Sequence, residues 1–180
     1  MKFMQEIEVK ILNVDKRRIE ETLISLGAEK VFDGHIETIF FDYKNRALAK
    51  AKNVMRLRKE DDRAVLTFKK FLGDEAAKVV EEYEVVVSDM DNLKKILESL
   101  GLSVTDKMQK HRVSYRLGRS HFDLDKYERE YGHIPEFLEI EAENIDVIHK
   151  YAKLLGFTLE DCLPWSTEDL VNYYAKKTSR

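Results

Sequence analysis

Glu6, Glu8 and Lys10 occupy alternate positions in the run Gln5-Glu-Ile-Glu-Val-Lys10. A strand sends every second side chain to the same face. Two carboxylates and an ammonium then share one side, while Ile7, Val9 and Ile11 share the other. The same alternation returns at Arg56/Arg58, Thr67/Lys69, Glu82/Glu84, Lys110/Arg112, Asp123/Asp125 and Glu139/Glu141. One such strand is a solvated face. Repeated along the chain, the pattern suggests the charged lining of a closed barrel. A dry interior of mixed charge would be very costly unless each charge met a partner or a ligand. Lys10, Arg56, Arg58, Lys69, Lys110 and Arg112 could neutralise a strongly anionic group such as a triphosphate. Arginine grips phosphate with a planar fork, and lysine acts as a point charge. Glu6, Glu8, Glu82, Glu84, Asp123, Asp125, Glu139 and Glu141 would repel phosphate unless a cation lay between. Such hard oxygen donors select Mg²⁺ or Mn²⁺. Carboxylates, metal and phosphates facing a basic wall are the parts of phosphoryl-transfer catalysis.

The elements that must position these residues form an α+β pattern. Three times a Glu-x-Glu strand is followed by an Asp or Asn and a helix closing on Leu-Gly. The first helix follows Asp15, carries Ile19, Leu23 and Leu26, and stops at Gly27. The second follows Asp89 or Asp91, carries Leu93, Ile96, Leu97 and Leu100, and stops at Gly101. The third follows Asn144, carries Val147, Ile148, Ala152 and Leu155, and stops at Gly156. Asp and Asn accept from free helix amides, the apolar spacing is helical, and glycine permits a left-handed cap. The first two units suggest a duplicated half-barrel, although such patterns also arise by chance. Further strands are predicted at Ile36–Tyr43, Val54–Arg58, Val65–Phe71, Lys78–Val87, Gln109–Leu117, His121–Lys126 and Glu136–Ala142. A turn is expected at Gly73-Asp74 and a hairpin at Gly118-Arg-Ser120. Asp169–Ala175 reads as a short terminal helix anchored by Leu170 and Tyr173 or Tyr174. About eight strands suffice to close a barrel with a usable interior.

Composition narrows the function. The chain has 180 residues, 43% hydrophobic and 36% charged, which suits a single domain spanning 1–180. The 31 basic and 34 acidic side chains nearly cancel, so no nucleic-acid partner is expected. The lone Cys162 excludes an internal disulfide and suits a reducing compartment. No stretch approaches a membrane span, and the start shows no apolar leader, so a cytoplasmic protein without membrane contact is expected. His35, His111, His121, His133 and His149 lack metal-ligand spacing and read as surface or packing residues. His111 lies between Lys110 and Arg112 and should face away from the interior. Trp165 and the Tyr173-Tyr174 pair should pack the terminal helix.

The charged strands also carry a resemblance. Glu6-Ile-Glu8-Val-Lys10 is similar to the N-terminal signature of the CYTH superfamily, the triphosphate tunnel metalloenzymes. The likeness continues in the same order. It passes through His35-x-Glu-Thr, Phe41-Asp42, Leu48, Met55-Arg-Leu-Arg58, Leu66-Thr-Phe-Lys69, Glu82-Tyr-Glu84 and Lys110-His-Arg112. It ends at Asp125-x-Tyr127, Ile134-Pro135 and Phe137-Leu-Glu-Ile-Glu141. The resemblance implies an eight-stranded antiparallel closed β-barrel with helices packed outside. It implies enzymes such as tripolyphosphatases, thiamine triphosphatases, RNA triphosphatases and class IV adenylate cyclases. By matching position, Glu6, Glu8, Glu139 and Glu141 are the leading metal ligands, with Asp125 assisting. Lys10, Arg56, Arg58, Lys69, Lys110 and Arg112 hold phosphates. Glu82 and Glu84 bind a second metal or orient basic residues. Glu6, Glu8, Lys10 and Arg58 are the catalytic candidates.

Three departures from that pattern stand out. Met55 replaces a leucine, Lys70 replaces a glycine that would turn the chain, and Glu128–His133 is long enough to shape one mouth. The leading reading is a Mg²⁺- or Mn²⁺-dependent triphosphatase acting on tripolyphosphate, thiamine triphosphate or a nucleoside triphosphate. The alternatives are a class IV adenylate cyclase and a non-catalytic polyphosphate-binding module. Whether the chain forms a homodimer stays open.

Overall fold

The computed structural model describes residues 5–60, 63–73 and 77–178. Eight strands run in the order β1 (Gln5–Leu12), β2 (Glu29–Tyr43), β3 (Val54–Glu60), β4 (Arg63–Gly73), β5 (Lys78–Val87), β6 (Leu102–Leu117), β7 (Ser120–Tyr127) and β8 (Phe137–Ala142). Helices α1 (Lys16–Ser25), α2 (Ala47–Lys50), α3 (Met90–Ser99), α4 (Ile145–Leu154) and α5 (Thr167–Thr178) interrupt or follow them. Every strand pairing is antiparallel, and the ring closes as β1-β5-β4-β3-β2-β6-β7-β8. The predicted eight-stranded closed barrel with external helices is therefore the fold.

Closure follows from the two-sided pattern. On β1 and β8, Val9, Ile11, Leu138 and Ile140 point outward into a buried cluster with Ile19 and Leu23 of α1 and Ile148 and Ala152 of α4. Leu57 of β3 and Phe41 of β2 meet Leu97 of α3 in a second cluster. Met108, Tyr127 and Phe137 meet Leu170 and Tyr174 of α5 in a third, which lies on the inward parity of Lys110, Asp125 and Glu139 at one end of the barrel. The apolar residues of the first two clusters are on the outside of the sheet because helices cover them there. The charged residues are left with the interior.

Several strands are longer than the sequence suggests. β2 begins at Glu29 and β6 at Leu102, because the added residues of each strand pair with the predicted part of the other, Glu29 with Arg116 and Leu102 with Tyr43. Lys70 does not end β4: it pairs with Glu81 and the strand continues to Gly73. Asp74 of the expected turn lies outside the described residues. Glu128–His133 forms a short 3₁₀ turn at Arg129–Tyr131 that packs Tyr131 against the α5 cluster. None of these residues lines the cavity itself, but the Tyr131 hydroxyl donates at 2.7 Å to Asp106, which does. α2, a four-residue helix, has too few residues for a periodic signal.

The three helix starts match their reading. Asp15, Asp89 and Asn144 accept hydrogen bonds from the amides of Arg18 (3.2 Å), Asn92 (2.9 Å) and Val147 (3.0 Å). Gly27, Gly101 and Gly156 take φ of 86°, 91° and 88° just past the helix ends, where an L side chain is disfavoured. Between the two acidic residues at the second helix, the structure selects Asp89 as cap, with Asp91 in the first turn. Asp89→Ala should therefore cost about 1 kcal/mol, and Asp91→Ala only a few tenths of that. Urea denaturation of the two variants checks this order, and equal losses would contradict the capping assignment.

Candidate active site

The barrel encloses a cavity of about 910 Å³. In the ring of eight strands, β3 and β8 stand four places apart in either direction. Arg56 and Arg58 of β3 thus face Glu139 and Glu141 of β8 across the interior, and all four line the cavity. β1 lies beside β8, with Glu8 opposite Glu141 and Lys10 opposite Glu139 in register. Glu6 belongs to β1 opposite Val80, but its side chain lies outside the described residues. Glu8, Lys10, Lys69, Glu82, Glu84, Lys110 and Arg112 also line the cavity. The interior alternation read from the sequence therefore gathers these residues in one place.

Ion pairs organise the wall. Arg112 is its hub. Its Nε and Nη2 donate to both oxygens of Asp125 at 2.7 and 2.5 Å, and Nη2 also reaches Glu139 at 2.6 Å. Its Nη1 pairs with Asp123. Lys110 donates to Asp125 at 2.6 Å. Asp125 is 1% exposed and lies behind Arg112 and Lys110 rather than on the cavity surface. Lys10 reaches Glu139 at 2.6 Å, and Lys69 reaches Glu82 at 2.6 Å. Thr67 donates to Glu84 at 2.9 Å.

Lys78, not singled out from the sequence, donates to Glu8 at 2.6 Å. A signal existed: Lys78 shares the inward parity of Glu82 and Glu84 on β5. His121 is a second omission. It precedes Asp123 by two residues on β7 and also lines the cavity. His111 does face outward, where its Nε2 lies 3.2 Å from Asp33.

Burial and pairing set the charge states. Burial alone would raise the Glu8 carboxyl, but Lys69, Lys10 and Lys78 more than offset it and hold it well below the usual range. Glu139 behaves likewise under Lys10, Lys110 and Arg112. Burial would lower Lys10, yet Glu139 and Glu8 raise it above its ordinary value. Burial lowers Lys110, aided by Arg112. Burial also raises Asp123, with Arg112 opposing.

Glu141 is the exception. It accepts no hydrogen bond and makes no ion pair within 4 Å among the described residues. Burial, reinforced by Glu8, Asp123 and Glu82 and opposed by Lys69, pushes it up to about 7. A second unmet need is on the facing wall. Nε of Arg56 is buried without a hydrogen-bond partner among the described residues. Nε of Arg58 lies 3.0 Å from Glu60 but out of line for a hydrogen bond. Unmet buried donors are costly and call for an acceptor.

A cation fits the acidic wall. Glu141 offers an unpaired carboxylate opposite Glu8, and both are hard oxygen donors. Among the described residues, no three His, Cys, Asp or Glu side chains already converge as a ligand cluster. Glu8 and Glu139 are instead drawn to lysines.

The raised Glu141 carboxyl has a thermodynamic consequence. The native state holds this proton where the unfolded chain, near 4.5, has released it. The associated stability is fully present below about 4.5 and is lost as pH rises through about 7. Thermal unfolding with chelator present should show Tm falling across that window. Glu141→Gln should flatten the fall, and an unchanged slope would show that Glu141 does not titrate there.

The comparisons with known proteins agree with this architecture. The CYTH domain family matches residues 4–153. A protein of Methanocaldococcus jannaschii named "Putative adenylate cyclase MJ0240" is 28% identical over 147 residues, covering 82% of each chain. The PH1012 protein of Pyrococcus horikoshii superimposes with a TM-score of 0.77 at 26% identity, covering 92% of this chain and 98% of that one. A Hippeastrum protein described as a "putative adenylyl cyclase" with "a dominant triphophatase activity" shares the fold. Its TM-score is 0.66 at 15% identity, covering 94% of this chain and 95% of that one. No helix among the described residues is long and apolar enough to cross a membrane. With its barrel, its charged interior and a family match over most of its length, the chain belongs to the CYTH family, whose enzymes act on triphosphates.

Proposed function

We propose that this protein is a divalent-metal-dependent phosphohydrolase that holds a triphosphate inside the barrel. The observation that carries the reading is the pair of facing walls. Arg56 presents a guanidinium whose buried Nε is an unmet donor, and Glu141 opposite presents an unpaired carboxylate. A phosphate chain supplies acceptors to the first wall, and a cation between phosphate and carboxylate satisfies the second.

Each residue has a part. Arg56, Arg58 and Lys69 hold phosphate oxygens from one side. Lys10, Lys110 and Arg112 do so from the other, kept in place by Glu139 and Asp125. Asp125, enclosed by Arg112 and Lys110, positions these cations. Lys10 and Arg58 stabilise negative charge that grows on the transferring group. Glu6, Glu8, Glu139 and Glu141 would hold Mg²⁺ or Mn²⁺, which when bound polarises phosphate oxygens and assists the attacking water. Glu82 orients Lys69 and Arg56, and Glu84 orients Thr67. Water forms a bond to the terminal phosphorus, the bridging P–O bond breaks with its electron pair kept by the oxygen of the leaving phosphate chain, and the water's proton passes to solvent. The products are orthophosphate and a shortened polyphosphate. The protein acts as one domain over its whole length, in the cytoplasm, on a small molecule.

One observation favours a second reading, adenylate cyclase, because the Methanocaldococcus relative carries that name. There the ribose 3′-hydroxyl would attack the α-phosphorus and release pyrophosphate.

The deciding assay incubates the protein with Mg²⁺ or Mn²⁺ and tripolyphosphate, thiamine triphosphate or ATP. It then separates phosphate, pyrophosphate and cyclic AMP. Orthophosphate is the expected product, and excess chelator should abolish it. Cyclic AMP with pyrophosphate would replace the hydrolase reading by the cyclase one. Full turnover in chelator would remove the metal from the mechanism. Arg58→Ala should lower kcat/KM by roughly 10²-fold, as for loss of one preorganised charge donor. Glu141→Gln should raise the Mg²⁺ concentration needed for half-maximal rate. Wild-type kinetics in both variants would overturn the assignment of the two walls.

A further inference from the structure

Most carboxylates on the acidic wall already have partners. Glu8 is held by Lys78, Glu139 by Lys10 and Arg112, and Asp123 by Arg112. Glu141 of β8 and His121 of β7 differ. Both line the cavity, and neither makes a hydrogen bond or an ion pair among the described residues.

Strand register sets these two side by side. Glu8 of β1 stands opposite Glu141, and Glu141 stands opposite His121. The row continues to Lys78 at one end and Arg116 at the other. Both of those cations are committed, Lys78 to Glu8 at 2.6 Å and Arg116 to Glu29 at 2.9 Å. Directly opposed antiparallel residues have Cβ atoms about 4.5–5.5 Å apart. A carboxylate and an imidazole at that spacing could meet directly. Here no nitrogen of His121 comes within 4 Å of a Glu141 oxygen, so the two flank a gap.

A gap between an unpaired carboxylate and an unpaired imidazole suits a cation that both can ligate. Neutral imidazole is the commonest side-chain ligand of metal ions. Its second nitrogen then needs a partner of its own, and His121 is exposed enough for water to serve. Other histidines are engaged elsewhere. On the outer face His111 and His35 lie 3.2 and 3.1 Å from Asp33 and Glu128. A nitrogen donor also changes which ion is preferred. Mg²⁺ demands a near-ideal octahedron of oxygens and keeps its waters, so an imidazole adds little. First-row transition ions accept imidazole more readily.

We infer that His121 is a nitrogen ligand of the cavity cation, beside Glu141, and makes the site prefer Mn²⁺ over Mg²⁺. This inference rests on the metal-dependent reading above and names its ion and a further ligand.

The test reads the ion itself, on the full chain, with and without a methylene-bridged tripolyphosphate analogue. Electron-spin-echo spectroscopy of bound Mn²⁺ should show a directly coordinated nitrogen, and His121→Gln should remove it. By calorimetry His121→Gln should weaken Mn²⁺ on the order of tenfold and leave Mg²⁺ nearly unchanged. His121→Glu, which offers an oxygen instead, should move the ratio of the two affinities toward Mg²⁺. His121 is exposed, so both variants should fold. The inference is overturned if Mn²⁺ binds through oxygen alone, if the nitrogen signal survives His121→Gln, or if the affinity ratio does not move. In each of those cases, weaker Mn²⁺ binding by Glu141→Gln would leave the metal reading standing. Failure to bind Mn²⁺, or binding that neither Glu141→Gln nor His121→Gln alters, would overturn both. Nitrogen-ligated Mn²⁺ in a protein that makes cyclic AMP would uphold the inference and sink the hydrolase reading.

Discussion

Ionised side chains inside a barrel persist only when each charge is answered. That requirement governs this molecule. Arg112 is held by Asp123, Asp125 and Glu139, while Lys10 is held by Glu139. Glu8 is shared among Lys78, Lys69 and Lys10. Removing one member would leave several partners buried and unpaired, a larger loss than the pair itself contributes. The lining is thus held together as a network, and its geometry is inherited from strand register.

The network is not closed. Arg56 keeps an unmet donor on one wall and Glu141 an unmet carboxylate on the other, four strands away. These two gaps are complementary in sign. A polyanion with a cation satisfies both at once, whereas either alone leaves the other wall unanswered. The same logic separates Asp125 from the cavity carboxylates. Both of its oxygens are already committed to Arg112 and Lys110, so its contribution is to hold cations in position.

The outer shell has a different role. Apolar residues of opposite parity bind α1, α3 and α4 to the sheet, and this packing fixes register. A slip of one residue would send every charge outward and every apolar side chain inward. Register is therefore enforced by the hydrophobic shell and used by the polar interior. α5 packs differently, since Leu170 is buried on the inward-facing Met108, Tyr127 and Phe137 at one end of the barrel while Val171 and Asn172 line the cavity.

Much of this was legible in the sequence, because a period of two is a property of the strand itself. Glu8, Lys10, Arg56, Arg58, Lys69, Arg112, Glu139 and Glu141 could be assigned to one face before any strand was paired. Asp15, Asn144, Gly27 and Gly156 marked helix ends, because capping and positive φ are satisfied within a few residues. What tertiary structure alone decided was who meets whom. Parity could not reveal that Lys78 reaches Glu8, since the two are 70 residues apart. Nor could it show that Asp125 is enclosed while Asp123, two residues earlier on the same face, borders the cavity. Ring order places β3 opposite β8, and helix packing brings Asn172 to the cavity lining. Those relations depend on closure of the whole barrel, whereas local pattern specifies only which way each side chain points.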